Sequence, residues 1–144
     1  IQNRKARPVK YAYNKPGANS IWASRNMSLL GTIILVFIVT HMYNFWYVMH
    51  WGGIPLDDQG NKDLYAVVIA FFTAPTTGLI GTLFYVVAMA ALAFHLYHGF
   101  QSAFQTLGVN HRRYTPLIKQ VGTAFAILVP LAFAIIPVVI TFTK

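Results

Sequence analysis

Three apolar runs organise the chain. No residue of fixed charge occurs from Asn26 to Leu56, from Leu64 to His111 or from Gln120 to Thr143. Each run exceeds the ~20 residues that a helix needs to cross about 30 Å of hydrocarbon. The first predicts a span over residues 26–51, with Ser24 or Ser28 as candidate N-caps and Gly52, Gly53 and Pro55 as its stop. The second run divides. Residues 64–74 are apolar but only a third to a half of a crossing in length, and Pro75 and Gly78 end them. They predict a short helix that lies at the membrane interface or folds back on the bundle. A second span is then expected over residues 79–107, closed by Gly108, and a third over residues 121–143. Pro130 and Pro137 are expected to kink the third, which membrane helices tolerate better than soluble ones. The fold class is therefore all-α, an integral membrane helical bundle with three transmembrane helices and one short interfacial helix.

The connecting segments differ in charge. Residues 1–25 carry Arg4, Lys5, Arg7, Lys10, Lys15 and Arg25 with no acid, and Pro8, Pro16 and Gly17 break any long helix, so a solvated basic loop is expected. Residues 52–78 form a loop around the short helix and hold Asp57, Asp58, Lys62 and Asp63. Residues 108–120 form a second basic loop with Arg112, Arg113 and Lys119. By the positive-inside rule the two basic loops face the cytoplasm and the acidic loop and carboxyl end face outward. An inward-facing start requires an even number of spans before Ile1. For the basic loops, topology and lipid contact compete with a protein docking surface.

Composition narrows the chemistry. Of the 144 residues 56% are hydrophobic and 10% charged, and none is glutamate, whereas charged residues make up about a quarter of an ordinary soluble domain. A formal charge of +8 would suggest nucleic acid as the partner of a soluble protein, but the apolar runs overrule that reading and no nucleic-acid partner is expected. The chain has no cysteine, which removes disulfides, thiolate iron–sulfur ligation and cysteine nucleophiles. Any metal must be held by histidine.

His41 lies deep in the first span, and His95 lies midway along the second with His98 one turn on. An ionisable side chain at that depth is costly without a partner, so its default reading is functional. The bland alternative is a neutral imidazole bonded to a carbonyl of the next helix. Zinc needs three or four converging ligands, and the spans hold no Cys, Asp or Glu to complete such a shell. Haem iron needs two axial ligands, and imidazole is a common one. In Phe94-His95-Leu96-Tyr97-His98-Gly99, Gly99 stands at i+4 from His95 on the same helix face. A flat macrocycle held by His95 would lie against that face, where a missing side chain admits it. His98 has Ser102 at i+4, which is less permissive, so His95 is the preferred ligand and His98 a polar neighbour of a propionate or quinone. Counted from the cytoplasmic ends of their spans, His41 and His95 lie about 21 and about 18 Å deep, which does not decide between one site and two. His50 and His111 read as surface residues. Most of Tyr43, Phe45, Trp46, Tyr47 and Trp51 read as an interfacial aromatic belt.

His41 in VTHMYNFW, His95 and Gly99 in FHLYHGFQSAFQTLG, the basic loop NHRRYTPLIK and a last span without histidine together resemble the single-subunit di-haem cytochrome b anchor of succinate dehydrogenases and fumarate reductases. The opening NRKARPVKYAYNKPG resembles the cytoplasmic loop after that family's second span. The resemblance implies that the chain covers spans three to five of five, with an upstream two-span part of the anchor as its partner. It further implies two b haems per complete anchor, each held by two histidines from different spans. His41 would be the third-span ligand of an outer haem and His95 the fourth-span ligand of a haem nearer the cytoplasm, their mates lying before Ile1.

The implied activity is electron relay between an iron–sulfur subunit, itself served by a flavoprotein that oxidises succinate, and a quinone, for which menaquinone is expected. The implied setting is the bacterial cytoplasmic (inner) membrane, as a multi-pass protein. Arg25, Ser28, Trp22, Ser102 and Gln105, near the cytoplasmic ends, are candidate haem or quinone neighbours, and no catalytic side chain is expected. Some relatives carry a glutamate two positions before the fourth-span histidine, associated with proton movement. Ala93 stands there, which inclines the direction towards succinate oxidation over fumarate reduction. Two readings from other classes compete. One is a cofactor-free channel or transporter subunit whose histidines line a polar path, leaving Gly99 to helix packing. The other is an anchor that has lost its haem.

Overall fold

The structure is a computed structural model and describes residues 20–109 and 111–144. Residues 1–19 of the expected 1–25 basic loop fall outside the described residues, and its last four form a helical turn. A single helical turn, α1 (Trp22–Arg25), leads into the first long helix, α2 (Met27–Trp51). Asn26, not Ser24 or Ser28, occupies the N-cap of α2, and its side-chain amide donates to the Trp22 carbonyl at 2.9 Å. The helix is α-helical from Met27 to His41, passes through a π-helical segment, Met42–Tyr47, and ends in one α-turn, Val48–Trp51. Gly52, in extended conformation, stops it.

The short helix α3 (Leu64–Thr73) follows, with Asp63 as N-cap accepting from the Ala66 N–H at 2.9 Å. This bond satisfies one of the donors that a helix start leaves free. α4 (Gly78–Thr106) and α5 (Thr115–Thr143) complete the fold, and no strand occurs among the described residues. Three helices, α2, α4 and α5, are long and apolar enough to span a membrane. Their exposed faces carry Leu35, Val39, Ile80, Leu83 and Leu128, a surface suited to lipid chains.

α5 differs from its sequence-based bounds. The helix starts at Thr115, six residues before the expected 121, so Lys119 lies on the helix and the loop is shorter than 108–120. Absence of charge marks hydrocarbon, not helix, and Pro116 in the first turn is a good helix starter. Pro130 and Pro137 sit inside the continuous helix and are buried together with Gly122 and Ala126. These positions share one face, which packs on α4, and the Phe100 ring occupies the space over Gly122.

Of the two placements expected for the short helix, the structure takes the fold back onto the bundle. Phe72 of α3 is buried against Phe45 of α2 and Tyr85 of α4, with Val67, Val68, Phe71 and Ile140 around them. Thr141 of α5 donates to the Phe72 carbonyl at 3.2 Å and shares a 2.5 Å hydrogen bond with Thr82 of α4. Where the chain turns out of α3 at Pro75, these threonines satisfy a carbonyl that the interrupted helix leaves without an intrahelical donor. A second, smaller core of Ala23, Leu30 and Ala91 holds the other end of α2 against α4.

Candidate functional site

The two mid-span histidines meet different surroundings. His41 closes the α-helical part of α2, and the π-helical segment begins at the next residue. Such segments are rare and frequent at functional sites. Its Nδ1 lies 3.1 Å from the Tyr85 hydroxyl on α4. Phe37 and Phe45, four residues to either side, place their rings 5.5 and 5.2 Å from the imidazole. Helical spacing produces this arrangement, since i−4, i and i+4 share a face. The three residues open on a cavity of about 450 Å³ between α2, α3, α4 and α5, whose other lining is apolar apart from the Tyr85 hydroxyl. His41 is nevertheless exposed, and no described hydrogen bond engages its Nε2.

His95 faces α2 at Gly31, whose built Cβ would stand 4.0 Å from its Cε1. Its Nδ1 is buried and has no hydrogen-bond partner among the described residues. A buried polar atom left in that state costs about 1–3 kcal/mol. One turn on, a Cβ added at Gly99 would meet nothing within 4 Å. Gly99, His98 and Ser102 line a cleft of about 530 Å³ with Met27, Ala103, Thr106 and Leu107.

The structure also decides between one level and two. Gly31 and His41 are ten residues apart on the α-helical part of α2, and Tyr85 and His95 are ten apart on antiparallel α4. His95 is level with Gly31 and Tyr85 with His41. Both helices therefore separate the histidines by about 15 Å along the bundle, with His41 towards the acidic-loop end and His95 towards the basic end. Among the described residues no three of His, Cys, Asp and Glu gather as a metal-binding group.

The remaining candidates divide. His98, Gly99 and Ser102 share the cleft at the basic end. Trp22 packs edge-on against Phe94, centroids 5.6 Å apart. The Arg25 guanidinium turns back to the Ser20 carbonyl and hydroxyl. Ser28 and Gln105 are exposed and line neither cavity. His50 and His111 are exposed, their Nδ1 atoms engaged by the Trp46 carbonyl at 2.8 Å and by the Arg113 N–H at 3.2 Å. In the aromatic belt Tyr43, Trp46, Tyr47 and Trp51 are exposed, whereas Phe45 turns into the core. Tyr85 is the residue that sequence reasoning missed. Its signal was a hydroxyl deep in an apolar run, ten residues before His95.

The chain matches no family model, no curated protein and no solved structure.

Proposed function

We propose that the chain is the haem b-containing membrane anchor of a succinate:quinone oxidoreductase, relaying electrons between its iron–sulfur subunit and a quinone, with menaquinone as the preferred acceptor. The observation that carries the reading is the pair of single histidines at two levels about 15 Å apart in a bundle whose spans hold no carboxylate.

The residues fit haem. One turn on from His95, Gly99 leaves a helix face on which an added Cβ would meet nothing within 4 Å, open to a flat group. His41 has no bond at Nε2 among the described residues, while Nδ1 lies beside the Tyr85 hydroxyl. A b haem with two imidazole ligands supplies a one-electron carrier whose potential the protein tunes through its ligands and their hydrogen bonds. His41 and His95 would hold one such group each, and His98 and Ser102 would offer polar contacts at the basic end. The second ligands would come from the upstream two-span part of the anchor. α2 is the helix suited to receive it, because only 6% of its apolar window is buried, against 28% for α4 and 17% for α5. Direction towards succinate oxidation follows the Ala93 reading, with fumarate reduction as the reverse of the same relay.

A dithionite-reduced minus oxidised spectrum of the solubilised native complex, with a pyridine haemochrome count, tests the proposal. Two b haems per anchor are expected, with His41→Ala and His95→Ala each abolishing one. A complex without a Soret band would overturn the reading and favour the channel alternative.

A further inference from the structure

We infer that Tyr85 is the positioning residue for His41, fixing which imidazole nitrogen faces the iron; the inference rests on the haem reading above. The hydroxyl stands 3.1 Å from Nδ1. A neutral imidazole carries one proton, and the nitrogen that binds a metal must be the bare one. If Nδ1 were bare, Tyr85 would donate to it and Nε2 would keep the proton. If Nδ1 carries the proton, it donates to the Tyr85 oxygen and leaves the Nε2 lone pair free. Nε2 is the nitrogen with no described bond, on a residue that is exposed as a whole. Ligation at Nε2 thus requires Tyr85 to act as acceptor.

The tyrosine is built to hold that place. It is 7% exposed, and its ring meets Phe37 and Phe72 edge-on at 5.0 and 5.1 Å. The same Phe37 flanks His41, as does Phe45, so one aromatic nest fixes both rings. No other polar side chain lines the cavity, and without the hydroxyl the Nδ1 proton would point into apolar surroundings. His95 has no counterpart, since its Nδ1 is without a described partner. The two sites therefore differ in the one contact that makes an imidazole a stronger donor to iron. An acceptor on the ligand's N–H favours the oxidised metal, so its removal raises the potential.

Tyr85→Phe in the native complex removes one oxygen atom and keeps the ring. Redox titration of the b haems, assigned beforehand by His41→Ala and His95→Ala, reads the effect. The haem that depends on His41 is expected to shift to higher potential by a tenfold change in its oxidised-to-reduced ratio, about 59 mV for one electron. The haem that depends on His95 stays where it was and reports that the bundle is intact. Both potentials unchanged, or both displaced together, would overturn the positioning role while the haem reading stands. A wild-type complex without haem would overturn the reading beneath it and the inference with it.

Discussion

Single atoms decide several positions in this bundle. Gly78 opens α4 so close to α3 that an added Cβ would lie 2.3 Å from the Phe72 carbonyl oxygen, a backbone atom that cannot swing aside. Gly78→Ala is expected to cost about 1–3 kcal/mol through overpacking, read as a lower thermal midpoint of the native complex in detergent. Gly53→Ala, where a Cβ meets nothing within 4 Å, should leave that midpoint within error. Legibility also varied residue by residue. His41 and His95 could be singled out as ionisable residues deep in apolar runs, and Gly99 by its i+4 spacing from His95 on one helix. The His41–Tyr85 pair could not, because 44 residues separate its members and only the register of two antiparallel helices brings them together. Arg25 is a candidate neighbour by its place near the cytoplasmic end of the first span, a position that does not fix where its side chain goes. A long flexible side chain takes the nearest good acceptor, and Ser20 supplies two.

Elements were legible where composition and geometry coincide. The bounds of α2, α3 and α4 fall within one residue of the expected 26–51, 64–74 and 79–107, where glycine and proline end both hydrophobicity and helix. They diverge at α5, where a charged first stretch is still good helix. The loop between α2 and α3 carries its own local order. Asp57 and Asn61 pair through the Asp57 N–H at 2.8 Å, Leu56 and Lys62 form an antiparallel bridge, and Gly60 takes φ +83° at the turn. Only glycine adopts that conformation without strain. The Asp57 carboxylate accepts from the Asn61 N–H at 2.7 Å and the Gln59 N–H at 2.9 Å. These bonds, that of Asn61 foremost, hold its pKa below the ordinary carboxylate value. A lowered pKa means order that is complete above about pH 4 and lost as pH falls through the lowered value. The protection of the Gln59 and Asn61 amides, measured against the exchange of an unstructured chain at the same pH, should fall over that acid range, and Asp57→Ala should leave it low at every pH. Lys62 adds a cap, donating from its ammonium to the Met49 and His50 carbonyls at 2.6 and 3.4 Å. A cation at a helix C-terminus is favourably placed against the helix dipole.

At the scale of the molecule, three crossings put the acidic hairpin and the short basic loop at opposite ends of the bundle. The chain lacks cysteine, so single introduced thiols report sidedness directly. In sealed vesicles an impermeant maleimide should label Gln59→Cys and Arg113→Cys from opposite faces, and labelling of both from one face would refute the three-span topology. The three-span plan was readable from hydropathy because burial in lipid and burial in protein select the same residues. The two-level arrangement was not, since depth counted from uncertain helix ends carries errors as large as the difference sought. The π-helical segment after His41 bears on this arrangement as well. A π turn takes in more residues per revolution than an α turn, and six such residues accumulate a lag of about one residue, or about 100°. Val48–Trp51 is therefore out of phase with the Phe37–His41 face that precedes it. The helix has two azimuths, one aimed at Tyr85 and one at the rim, and neither constrains which side chains the other can present.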